Sequence, residues 1–194
     1  GGQDNQVRGR NSIVIGGGYD VYSGNTRVAA YSGDNITWGG GSVIVSGQHN
    51  RASADASLIL AGKYNVTTKP ANGSVIMGGT LNTTYTSDVV VISGYSNSAR
   101  GVGSTVVGGQ LNVTRSSMSL VVGGSGNQTY GNLSLAVGGI SNSTNGYNSL
   151  TVGGKENTTN DELAMAVGGT GNNAAAYNSI TVGGTKNVTK GQQA

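Results

Sequence analysis

Residues able to do acid–base, nucleophilic or metal chemistry are few and far apart in this chain of 194 residues. It has one histidine, His49, and no cysteine. A general base needs a nucleophile within hydrogen-bond reach and a third group to orient it. His49 has neither nearby in sequence and stands in the turn-forming run Ser46-Gly47-Gln48-His49-Asn50. The acidic residues Asp20, Asp34, Asp55 and Asp88 are isolated. Asp161 and Glu162 are neighbours, but on an extended chain they point to opposite sides. Glycine runs such as Gly16-Gly17-Gly18 lack the Lys-Ser/Thr of a phosphate loop. The expectation is a protein that is not an enzyme and holds no cofactor and no metal. What the chain does have is carboxamide. Ten Asn-x-Ser/Thr sequences occur, at Asn35, Asn65, Asn72, Asn82, Asn112, Asn127, Asn132, Asn142, Asn157 and Asn187, each a formal acceptor for N-glycosylation. An acceptor that carries glycan must be exposed, so the use of each depends on what the fold does with it.

Composition narrows the fold. Charged residues are 10% of the chain, against roughly 25% in an ordinary globular protein. There are 36 glycines, one proline (Pro70) and no phenylalanine. The formal net charge is +3, and the basic residues Arg8, Arg10, Arg27, Arg51, Lys63, Lys69, Arg100 and Arg115 look scattered, with no basic stripe interleaved with aromatics. Nucleic acid is therefore not an expected partner. No apolar run approaches the ~18 residues of a membrane span, so no membrane insertion by this segment is expected.

A repeat positions the asparagines. Turn starts fall near residues 1, 16, 31, 46, 61, 78, 93, 108, 123, 138, 153, 168 and 183, a period of fifteen with a single step of seventeen around Thr68-Lys69-Pro70-Ala71. Before each glycine pair stands a short β-branched run such as Ser42–Val45, Ser119–Val122 or Ser149–Val152, which reads as a strand stopped by glycine. Four residues after each turn start stand Asn5, Asp20, Asn35, Asn50, Asn65, Asn82, Asn97, Asn112, Asn127, Asn142, Asn157, Asn172 and Asn187. Stacked identical amides form ladders, and asparagine tolerates the left-handed region, so this column is expected to be structural. Two residues further on the side chain is small (Thr37, Ala52, Thr67, Ala99, Thr114), which suits a second, shorter strand. The fold expected is all-β: one parallel β-solenoid or β-roll domain spanning 1–194, thirteen coils of about fifteen residues.

Each longer strand is apolar on both sides. Ile13/Ile15, Val43/Val45, Leu58/Leu60 and Leu120/Val122 are expected to face inward. The residues between them, Val14, Ile44, Ile59, Ile76, Val91, Val106, Val121, Ala136 and Ala166, with Ala29, would then face outward. A strand apolar on both faces is normally covered on both. This column is therefore the expected self-association surface, with a homo-oligomer as partner.

The stretches Asn148-Ser149-Leu150-Thr151-Val152-Gly153, Asn132-Leu133-Ser134-Leu135-Ala136-Val137-Gly138 and Asn178-Ser179-Ile180-Thr181-Val182-Gly183 resemble the head domain of trimeric autotransporter adhesins, the YadA-like haemagglutinin/invasin repeats. Thr144, Thr159 or Ala174 matches that family's small inward residue, and Gly131 or Gly146 its second glycine. The resemblance covers essentially the whole chain and implies a left-handed parallel β-roll, three chains about one axis, on a cell surface. The chain departs from the family's usual period of fourteen and carries Val or Ile where the family has Ala.

Three functions are then expected in order. The first is an extracellular adhesin or surface-fibre segment contacting host or matrix surface molecules. The second is a structural filament or matrix subunit, glycosylated and stacking end to end. The third is an ice-binding solenoid resting on the Thr column. Neither terminus carries a polar cap, which suggests a longer array or end-to-end stacking.

Overall fold

A computed structural model describes residues 5–15 and 35–191. The described chain is all-β and every strand pairing is parallel, with each strand meeting its equivalent one coil on. Two strands alternate along the chain. The longer set includes Val43–Ile44, Leu58–Ile59, Leu120–Val122, Leu135–Val137 and Leu150–Val152. The shorter set includes Arg51–Ala52, Val66–Thr67, Gln128–Thr129, Ser143–Thr144 and Thr158–Thr159. Like pairs with like at a step of fifteen, as in Leu120↔Leu135↔Leu150 and Gln128↔Ser143↔Thr158. The molecule is a β-solenoid. The chain divides into two compact units, Gly1–Ser98 and Ala99–Ala194, each built of this rung.

The seventeen-residue step behaves as a bulge. Leu58 pairs with Val75, seventeen residues on, and the extra residues Lys69 and Pro70 lie in an exposed turn while Ala71 returns to the interior.

The count of thirteen stacked coils does not hold. Gln6–Val7 pairs directly with Ile36–Thr37, and Ile13–Val14 with Val43–Ile44, thirty residues on. The coil expected near Gly16, with Asp20 and Ala29, falls in residues 16–34, which lie outside the described residues.

The inside and outside of the longer strand are the reverse of the expectation. Val14, Ile44, Ile59, Ile76, Val91, Val106, Val121, Ala136 and Ala166 are the buried core, most of them fully enclosed, and not a surface for self-association. Their neighbours on either side point out. The interior is one side chain deep from each strand, as Thr144 Oγ1 donating to Thr151 Oγ1 at 3.0 Å makes plain. A space that thin takes Val, Ile, Ala or Thr, and it excludes the Leu and Met common in the flanking columns. The buried serines share the inward side. Ser57 Oγ donates to Ala54 O at 2.8 Å and is 2.9 Å from Thr67 Oγ1; Ser149 Oγ donates to Gly146 O at 2.7 Å and receives Thr159 Oγ1 at 3.1 Å. The roll therefore has a core of aliphatics and hydroxyls, with serine–threonine pairs such as Ser57–Thr67 and Ser149–Thr159 hydrogen-bonded and the Thr37 and Thr84 hydroxyls without a partner.

Candidate binding faces

The asparagine column is structural. Asn35, Asn50, Asn65, Asn82, Asn97, Asn112, Asn127, Asn142, Asn157 and Asn172 are enclosed, Asn5 nearly so, and Asn187 is more open. In the second unit the Asn127 amide N–H donates to Asn112 Oδ1 at 3.0 Å, that of Asn142 to Asn127 Oδ1 at 3.0 Å, and that of Asn157 to Asn142 Oδ1 at 2.9 Å. In the first unit Asn50, Asn65 and Asn82 repeat the pattern at 3.0 Å. The Nδ2 groups turn to backbone carbonyls of the turns, mostly glycines: Asn127 Nδ2 donates to Gly123 O at 3.3 Å and Gly139 O at 3.2 Å, and Asn97 Nδ2 to Ser93 O at 3.2 Å. One side chain thus closes its own turn and ties it to the next coil. The left-handed position is not the Asn but the residue before it, as at His49 (φ 54), Tyr64 (φ 55), Leu111 (φ 56) and Glu156 (φ 55).

Burial decides the glycosylation question by geometry. An enclosed Nδ2 already donating to carbonyls cannot carry a sugar. The ladder acceptors Asn35, Asn65, Asn82, Asn112, Asn127, Asn142 and Asn157 are therefore incompatible with a glycan in the folded rung. Asn72 and Asn132 lie off the ladder in exposed turns and use only Oδ1, which accepts from Asp55 N and Ser117 N, each at 3.1 Å. Asn187 donates to Gly183 O at 3.0 Å, which leaves it a poorer acceptor than these two.

Two faces remain open. The outer face of the longer strands carries two apolar columns. In the first unit these hold Val43/Val45, Leu58/Leu60, Val75/Met77 and Val90/Ile92; in the second, Leu120/Val122, Leu135/Val137, Leu150/Val152 and Met165/Val167. Most are half-buried, while Ile13, Ile15, Met77, Ile180 and Val182 of these columns are exposed. No ionisable residue interrupts either column among the described residues. In the second unit the adjoining turns add exposed Val102, Met118, Leu133 and Leu163. Apolar surface of this extent is unusual on a soluble monomer.

The outer face of the shorter strands is the opposite in character. Three residues after each ladder Asn stand Arg8, Trp38, Ser53, Thr68 and Tyr85 in the first unit. Arg100, Arg115, Tyr130, Asn145, Asn160, Ala175 and Lys190 follow in the second. The column one residue after each Asn holds Gln6, Ile36, Arg51, Val66 and Thr83, then Val113, Gln128, Ser143, Thr158 and Asn173. No carboxylate stands in either column among the described residues. The Arg8 guanidinium carbon lies 4.7 Å from the centre of the Trp38 ring and that of Arg51 5.1 Å from it; Arg115 sits 5.1 Å over Tyr130. Within each unit, basic residues that look scattered along the chain therefore stand beside an aromatic ring. The signal was present as a column at period fifteen.

Of the other residues considered, His49 stacks on Tyr64 at 4.8 Å and 6° and touches no nucleophile in that contact. Among the described residues no three His, Cys, Asp or Glu gather as a metal site would require. Asp161 and Glu162 are exposed. The Thr column that suggested ice binding (Thr37, Thr67, Thr84, Thr114, Thr129, Thr144, Thr159) lies inside the roll, so it cannot meet ice. No family model matches the sequence, and a search of curated proteins found none that matches it.

Proposed function

We propose that this chain is a rigid β-solenoid segment of an extracellular surface fibre or adhesin. In this reading it assembles as a homotrimer and presents its polar face to host or matrix molecules. The observation that carries the reading is the pair of outward apolar columns on the longer strands. The partner that fits them best is a second copy of the chain. A copy set parallel and in register repeats the same side chains at the same rise of ~4.8 Å per coil, so ridges meet grooves along the stack. Three such faces about one axis leave the polar, basic faces pointing outward. Turn-exposed Asn72 and Asn132 suit an extracellular glycoprotein.

Because the chain has no cysteine, single introduced thiols test this arrangement cleanly. Leu135→Cys and Leu150→Cys should be joined between chains by a short bismaleimide, whereas Gln128→Cys and Thr158→Cys on the opposite sheet should not. Cross-linking only at Gln128 and Thr158, or at none of the four, would overturn the packing.

A further inference from the structure

Around Trp38 the first unit forms a shallow depression of about 390 Å³, lined by Trp38, Arg51, Ser53, Val66, Thr68 and Lys69. Trp38 is the only tryptophan of the chain and is 42% exposed. Its coil lies between those of Arg8 and Arg51, and both guanidiniums lean on its ring. The side chains are held in place. Arg8 Nη2 donates to Gln6 Oε1 at 2.6 Å, and Arg51 Nε donates to Ser53 Oγ at 2.9 Å. Neither arginine, nor Lys69, has a carboxylate partner among the described residues. Three cations therefore share one side of the roll with no acid in the sheet columns beside them, and two are oriented by an aromatic ring. Arg51, held through Nε, keeps both Nη groups for bidentate binding of a carboxylate or sulfate, and Arg8 keeps Nη1 and Nε as donors.

We propose that this depression binds an acidic polysaccharide, its sulfate or carboxylate groups held by Arg8, Arg51 and Lys69 and its hydroxyls meeting Ser53 and Thr68. Nucleic acid is disfavoured because two guanidiniums already lean on the Trp38 ring and compete with a base for stacking on it. The proposal rests on the extracellular reading only for the exposure of this face, and it does not require the trimer.

The lone tryptophan reports directly on the site. Titration of the full chain with a heparin-derived hexasaccharide should change Trp38 emission, while neutral maltohexaose should not. Charge-assisted hydrogen bonds of this kind are worth roughly a tenfold change in affinity each. Arg8→Gln and Arg51→Gln should therefore each weaken binding roughly tenfold, and Arg115→Gln in the other unit should leave the Trp38 titration unchanged. Raising salt should weaken binding in the parent chain more than in Arg51→Gln. Repeating the titration with Leu58→Lys, whose substitution lies on the outward side of a longer strand of the same unit, separates this proposal from the assembly. Binding there should persist whatever the oligomeric state. No response to the sulfated sugar, equal binding by the parent and both arginine variants, or tighter binding of an oligo-dT of similar charge would overturn the proposal. The last result would assign the face to nucleic acid.

Discussion

Gly139→Ala is expected to cost several times more stability than Gly138→Ala, although the two glycines are adjacent and both have positive φ. At Gly138 (φ 62) an added Cβ would meet nothing within 4 Å, and the penalty is that of placing an L-residue in the left-handed region, about 1–2 kcal/mol. The roll tolerates such residues, as Leu133 (φ 57) and Ser141 (φ 54) show. At Gly139 (φ 77) the same Cβ would press on Nδ2 of Asn142 and on the carbonyl of Gly154 in the next coil. It would displace the Asn142 side chain, whose Nδ2 donates to Gly138 O at 3.3 Å and Gly153 O at 3.0 Å, and whose Oδ1 accepts from Asn157 N at 2.9 Å. Crowding and stranded buried polar groups then add to the dihedral cost, and the total is on the order of 4 kcal/mol or more. Denaturant unfolding of both variants checks this. Equal midpoints for the two would mean that the second glycine is needed only for its dihedral angle and that the amide ladder tolerates displacement.

Val121→Lys and Leu120→Lys should fail in different ways despite being neighbours. Val121 is fully enclosed, in register with Val106 and Ala136. An ammonium there has no acid to pair with in a core of aliphatics and hydroxyls, and burying it unpaired costs more than a marginally stable domain can supply. The variant should lose its β-sheet circular dichroism and its cooperative melt. Leu120 points outward, so lysine at that position can extend into water and the rung should keep its sheet signal. What should change is the state of assembly, because a ring of lysines at a shared apolar face repels. An unfolded Leu120→Lys beside a folded Val121→Lys would reverse the inside and outside assigned here.

The repeat itself was legible because glycine and asparagine columns survive any ambiguity about which way a strand faces. The period, the short parallel strands, the Pro70 bulge and the structural nature of Asn112 or Asn142 all follow from spacing. Side-chain direction was not legible from hydrophobicity, since Leu135, Ala136 and Val137 are all apolar and alternation carries no signal there. The deciding information was size and the serine. Ser134 stands two residues before Ala136 and so shares its side, where its hydroxyl reaches Gly131 O at 2.6 Å. The small central residues Ala136, Thr151 and Ala166 fit a narrow interior, whereas Leu135, Leu150 and Met165 beside them do not. The basic face of the first unit was missed because Arg8 and Arg51 are distant along the chain and meet at Trp38 only when the chain is wound into coils.

Sedimentation equilibrium of the unmodified chain at micromolar concentration tests the assembly reading most directly. The outward apolar columns predict a single species of about 58 kDa, three chains of 19.3 kDa, that shifts toward the monomer in Leu120→Lys. A stable 19.3 kDa monomer would contradict it, and would mean that these columns face water or a different molecule.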